Sequence, residues 1–209
     1  MNTVATETID DTAARPLLLG CGIFAKEIAH LIEKNHWPLA THFLPPSLHV
    51  DLPALATQLD CALTATARPD TLVFYGDACH PMIDALIAPH HARRVAGQNC
   101  VAILLGFERY QHELERGAFF LLEDWARHWD KAIDQTFGGH WAVAREVFQT
   151  AHCFILALRT PCSGDYQTAA EHAATSVGLP LRWEDVALTH LEHTLREALA
   201  SLSSSTAHR

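Results

Sequence analysis

Short apolar runs alternate with segments of helical periodicity along nearly the whole chain, and this alternation restricts the possible folds more than any other feature. PLLLG (16–20) reads as a strand closed by glycine, and IFAKEIAHLIEK (23–34) as a helix with apolar residues at helical spacing. A second unit pairs a strand at 39–44 with the loop PPSLHVD and a helix from Pro53 to about Ala65. A third runs from TLVFYG (71–76) through Asp77-Ala78-Cys79-His80 into PMIDALIAP, where Pro81 suits a first helical turn. Strands joined through helices run parallel, and a parallel sheet needs helices on both faces. The expected fold is therefore α/β, three-layer, with a mostly parallel sheet. One domain is expected over 16–201, between a disordered tail (1–15) and a frayed one (202–209).

Around Cys100 two readings compete, and they have different consequences. CVAILLG resembles a strand in composition, which would put Cys100 at the strand's start, on the edge of the sheet opposite Cys21 and Cys79. The preferred reading makes RRVAG (93–97) the strand, Asn99 the N-cap and 100–116 one helix. That keeps the alternation strict, although Gly106 inside the helix costs about 1 kcal/mol against alanine. Further on, AFFLL (118–122) reads as a strand and 123–137 as a helix carrying Trp125 and Trp129, an i, i+4 pair assigned to the core. Then follow the helix HWAVAREVFQTA, the strand CFILALR, the loop TPCSGD and the helix YQTAAEHAATSVG closed by Gly178. The strand LRWEDVAL and the helix HLEHTLREALASL end the pattern.

In a parallel α/β sheet the loops at the carboxyl ends of the strands meet on one edge, where ligands usually bind. Cys21, Cys79 and Cys100 each fall where a strand gives way to a helix, so they are expected to converge, with sulfurs within about 7 Å of one another. A helix N-terminus stabilises thiolate, which predicts unusually acidic thiols and good metal ligands. The bland alternative, a small buried hydrophobe, suits any single cysteine, and Cys61 and Cys153 are read that way. Cys162, in a loop at the same edge, is a further candidate ligand.

His49 follows the second strand and is either a ligand or a capping loop residue. His80 is a candidate for orienting a ligand, and Asp77 for capping the next helix. Gly20, Gly22 and Gly76 flank two of the thiols, as expected where backbone turns sharply or approaches a bound cofactor. GCGIFAKE lacks the full dinucleotide-binding glycine pattern.

A formal charge of −9 without clustered Lys or Arg argues against a nucleic-acid partner. No apolar run approaches the ~20 residues that span a bilayer, and the polar, acidic start is unlike a signal peptide. A cytoplasmic protein is expected, whose six cysteines are free thiols, ligands or reactive groups rather than disulfides.

PLLLGCGIFAKEI, SLHVDLPAL, TLVFYGDAC, QNCVAILLGFERY and GAFFLLEDW together resemble the domain of unknown function family 1638, with weaker similarity continuing to the C-terminal helices. The resemblance implies a role near one-carbon or methyl-group metabolism, since genes of the family often lie near corrinoid-dependent methyltransferases. Cys21, Cys79 and Cys100 match the family's cysteines. The chain departs from the family at His80-Pro81, where glycine-rich residues are usual, and at TPCS (160–163), where an acidic-threonine-glycine turn is usual.

The leading expectation is a metal held by Cys21, Cys79, Cys100 and His49, or by the three thiols with one position open. Zinc comes first and an iron–sulfur cluster second. The ligand would be a small molecule or a corrinoid. The alternatives are an accessory protein that binds a corrinoid or a methyltransferase partner, and a purely structural set of buried thiols.

Overall fold

A computed structural model describes residues 15–68 and 70–206, so the expected N-terminal tail through residue 14 and the last three residues lie outside the described residues. The parallel α/β fold read from the alternation is present, and its strands are divided between two sheets. The first has the order β2-β1-β3-β4, formed by β1 (Leu17–Cys21), β2 (Ala40–Leu44), β3 (Thr71–Phe74) and the short β4 (Arg93–Arg94). The second has the order β5-β6-β7, formed by β5 (Ala118–Leu121), β6 (Phe154–Arg159) and β7 (Leu181–Asp185). All neighbouring strands pair in parallel.

Ten α-helices accompany the described strands: α1 (Ala25–Asn35), α2 (Leu52–Thr66), α3 (Ile83–Ile87), α4 (Cys100–Leu105), α5 (Phe107–Glu115), α6 (Glu123–Arg127), α7 (Trp129–Phe137), α8 (Trp141–Ala151), α9 (Gln167–Val177) and α10 (Thr189–Thr206).

Strand periodicity explains the layering, because alternate side chains point to opposite faces. Leu18, Leu72 and Phe74 of the first sheet share one buried cluster with Phe120, Phe154, Leu156 and Leu158 of the second. Ile28 and Leu31 of α1, Val101 to Leu105 of α4, and Leu191 and Leu195 of α10 complete it, with Ala102 buried beside them. The intervening residues Leu17, Leu19 and Val73 turn to the other face, against Leu55, Leu59 and Leu63 of α2 and Ile83 of α3. Ile155 and Ala157 likewise face α7, α8 and α9 through Ile133, Phe148 and Ala170. Each sheet is thus covered on both faces, and the two share the helices between them. This explains why CVAILL is apolar all round: α4 has no solvent side over Val101 to Leu105.

The preferred reading at Cys100 is the observed one. Asn99 caps α4, its Oδ1 accepting the Ala102 N–H at 2.9 Å. The single helix expected over 100–116 is two, however, because Gly106 takes φ +85, a left-handed angle that stops α4 and redirects the chain into the amphipathic α5. The helix expected over 123–137 is also broken, at His128, between α6 and α7. Gly178 closes α9 at φ +71, its N–H donating to Thr175. The C-terminal helix α10 continues to Thr206 and buries Leu202.

Two of the glycines flanking the thiols are required by the packing of the chain itself. A Cβ on Gly20 would lie 2.5 Å from Phe74 Cβ in the adjoining strand, and one on Gly76 would lie 2.1 Å from the Gln98 carbonyl oxygen. Backbone cannot yield as a side-chain tip can. Gly76→Ala should therefore cost roughly 1–3 kcal/mol or more, read as a shift of the denaturant midpoint at unchanged slope. A midpoint equal to the parent's would show that the 97–99 loop moves freely.

Candidate functional site

The carboxyl edge of the first sheet carries the four candidate ligands, each after a different strand. Cys21 is the last residue of β1 and precedes a 3₁₀ turn at Gly22–Phe24. His49 lies in the 3₁₀ turn Pro46–Val50 that follows β2. Cys79 sits in the turn after β3, its N–H donating to the Gly76 carbonyl at 3.1 Å. Cys100 opens α4, just beyond β4. The second sheet contributes Trp125 from α6, whose ring lies 5.4 Å from that of His49.

These residues meet. Cys21, Cys79, Cys100, His49, Gly76, Tyr75 and Trp125 line one cavity of about 30 Å³, with Phe74 and Ile103 supplying apolar wall. Among the described residues, no three His, Cys, Asp or Glu side chains already stand in metal-coordinating geometry.

The electrostatics of the cavity reverse one expectation. Burial pushes the Cys21 thiol up to about 12, with the Ile23 N–H opposing the shift and Cys79 and Asp124 adding to it. Burial also raises Cys79, and raises Cys100 well above the ordinary range, where Cys21 and Cys79 push it further. The thiols are therefore less acidic than free cysteine. Backbone N–H groups do favour thiolate here, but the loss of water around a charge in an apolar pocket outweighs them. That the thiols act on one another's ionisation also follows from their shared cavity.

His49 is held by a 2.6 Å contact between its Nδ1 and the Pro46 carbonyl. A carbonyl only accepts, so the proton is on Nδ1 and the Nε2 lone pair is free for a proton or a metal.

The remaining candidates serve the scaffold. The His80 ring is buried and its Nδ1 accepts the Met82 N–H at 3.1 Å in the turn before α3, a helix that neither His80 nor Asp77 caps through its side chain. Asp77 is exposed. Cys162 is not among the residues lining the cavity. It packs beside Thr160, whose hydroxyl accepts the Cys162 N–H and donates to Glu27 at 2.6 Å, a buried link between the two halves of the chain. Gly22 approaches the Leu44 carbonyl and borders a separate cleft with Glu27, Glu123 and Thr160. Cys61 and Cys153, read as buried, are exposed: the first lies on the outer side of α2, the second just before β6.

Sequence reasoning missed Tyr75 and Trp125. Tyr75 is 3 % exposed and, with its neighbour Gly76, follows directly on β3, so its position at a strand's carboxyl end was a signal. Trp125 was paired with Trp129 on one helix. The break at His128 separates them: Trp129 enters the core against Phe119 and Phe148 and donates to Ser176, while Trp125 turns to the thiols.

No helix among the described residues is long and apolar enough to cross a membrane. No curated protein and no solved structure matches the chain. The family model described as protein of unknown function (DUF1638) matches residues 43–195, a span that includes His49, Tyr75, Cys79, Cys100 and Trp125 and leaves out Cys21. With nearly three quarters of its length matched in this way, the chain belongs to the DUF1638 family.

Proposed function

We propose that this protein binds a metal ion through Cys21, Cys79 and Cys100, with His49 as the fourth ligand or beside an open position, and that zinc is the resident metal. The observation that carries this reading is the convergence of three thiols from three strand ends, with an imidazole, on one small apolar cavity.

A nucleophilic or redox-active cysteine is usually acidic, and burial makes these thiols less acidic than a free one. A dication reverses the balance, because it replaces the missing solvation and ionises the thiols it binds. Zinc suits three thiolates and an imidazole, and tolerates an exchangeable ligand. Reduced thiols fit the cytoplasm. A corrinoid is far larger than the cavity of about 30 Å³. If the protein serves corrinoid-linked methyl transfer, the corrinoid or a methyltransferase partner approaches from outside, and the metal activates the acceptor.

Anoxic purification followed by elemental analysis and a visible spectrum tests the reading. About one zinc per chain and no visible colour is expected. Iron with visible absorption would replace zinc by a cluster, and a metal-free protein that takes up neither would overturn the proposal. His49→Ala should weaken zinc retention by about 10- to 100-fold in a chelator competition. Unchanged retention would reduce His49 to a wall of the cavity.

A further inference from the structure

Two glutamate side chains among the described residues are buried, and only one of them has a cation. Glu113 is bonded by Arg116 at 3.0 Å. Glu27, 6 % exposed in the first turn of α1, makes no ion pair among the described residues, and its one hydrogen bond is the 2.6 Å contact that the Thr160 hydroxyl donates to Oε1. The nearby cations are engaged elsewhere, since Lys26 and Arg127 both bond to Glu123 at 3.0 Å. A carboxylate can accept about four hydrogen bonds, and a buried one is nearly always paired. The dipole of α1 favours negative charge in its first turn but gives Glu27 Oε2 no donor. That oxygen has no hydrogen-bond partner among the described residues and is not sealed from solvent. The opening left to it is the cleft of about 170 Å³ that Glu27 lines with Thr160 and Ser163.

We propose that this cleft binds a small molecule carrying a primary ammonium group, whose N–H groups donate to the Glu27 carboxylate. The inference is independent of the metal reading above. Three carboxylates line the cleft, from Glu27, Glu123 and Asp124, against the two cations of Lys26 and Arg127, so a monocation balances the lining. Thr160 cannot supply more donors: its single hydroxyl proton goes to Oε1 while the oxygen accepts the Cys162 N–H at 3.1 Å. It fixes the carboxyl in place instead. Phe24, Leu122 and Leu158 form apolar wall in the same cleft, which suits a short alkyl chain behind the ammonium. At about 30 Å³ for each water-sized unit, the cleft of about 170 Å³ holds on the order of six heavy atoms.

Isothermal titration of the full chain with n-butylammonium chloride, at pH 7 and fixed ionic strength, tests the proposal. Sodium butyrate keeps the chain and inverts the charge, and tetramethylammonium keeps the charge and has no N–H. Saturable binding of n-butylammonium is expected, with the other two probes at least about 10-fold weaker, the size of effect that follows loss of a hydrogen bond to a charged group. Glu27→Gln keeps an acceptor for the Thr160 hydroxyl and removes the charge, so it should weaken n-butylammonium binding by a similar factor. Asp77→Asn, exposed and outside the cleft, should bind as the parent does.

If Glu27→Gln does not fold, the three probes on the parent decide alone. No saturable binding of n-butylammonium, equal affinity for butyrate or tetramethylammonium, or full affinity in a folded Glu27→Gln overturns the inference. Binding that disappears after chelator treatment does so too, by placing the amine on a metal, whereas binding kept after chelation and in Cys100→Ser supports a site separate from the thiols.

Discussion

Replacing Cys100 with serine is expected to lower zinc affinity by more than about 100-fold, beyond what loss of a supporting contact costs at metal sites. The serine hydroxyl stays protonated and is a poor zinc ligand, so a three-thiolate site becomes a two-thiolate site. The fold should survive. Cys100 is only partly buried at the first position of α4, and the cap from Asn99 and the core residues Val101 to Leu105 remain. Cys61→Ser supplies the control: that thiol is exposed, so both stability and zinc content should stay at the parent's level, within about 0.5 kcal/mol. Zinc retained equally by Cys100→Ser and the parent would mean that the three thiols merely pack.

Alkaline pH should destabilise the metal-free protein and spare the zinc-bound form. Cys21 is raised from 9.0 to about 12 in the folded chain, so across that window its unfolded form is ionised and its folded form is not. The folded state then holds the extra proton. Stability from this thiol is complete below the ordinary value and is lost as pH climbs through the folded one, at roughly 1.4 kcal/mol per pH unit at the steepest. Cys79 and Cys100, also raised by burial, add to the slope. Tyr166, raised by burial away from the cavity, contributes alike with and without zinc, whereas Tyr75 is raised by burial and by Cys21 and Cys79 and so belongs with the thiols in the difference between the two forms. Zinc-bound thiols are ionised already and hold no such proton. Denaturant melts between pH 7 and 11, with and without zinc, measure the effect. Parallel curves would show that zinc does not ionise these cysteines.

The parts of the fold governed by neighbours in sequence were legible there. Asn99 announced a helix start, Gly178 a helix end, and the apolar runs at 17–21, 71–74 and 154–159 the parallel strands. The convergence of Cys21, Cys79, Cys100 and His49 followed from topology alone, because every loop after a parallel strand leaves from the same edge. What stayed hidden depended on partners distant in the chain. The division into two sheets turns on which strands pair, and β4 pairs through only two residues, Arg93 and Arg94. The acidity of the thiols turned on burial, supplied partly by Trp125 across the cavity from the second sheet, and no local pattern reports that. The breaks at Gly106 and His128 carried weaker local signals: glycine is tolerated in helices, and histidine is a residue type that marks no break, its contacts with Asp124 being visible only in the fold.

X-ray absorption at the zinc edge of the purified protein measures the site most directly, because the fine structure gives the number and distance of ligand atoms. Three sulfurs at ~2.3 Å with one nitrogen or oxygen at ~2.0–2.1 Å is the predicted shell, and it should lose one sulfur in Cys79→Ser. A shell of nitrogen and oxygen only, unchanged in that variant, would place the zinc elsewhere and contradict a thiol-held metal at the sheet edge.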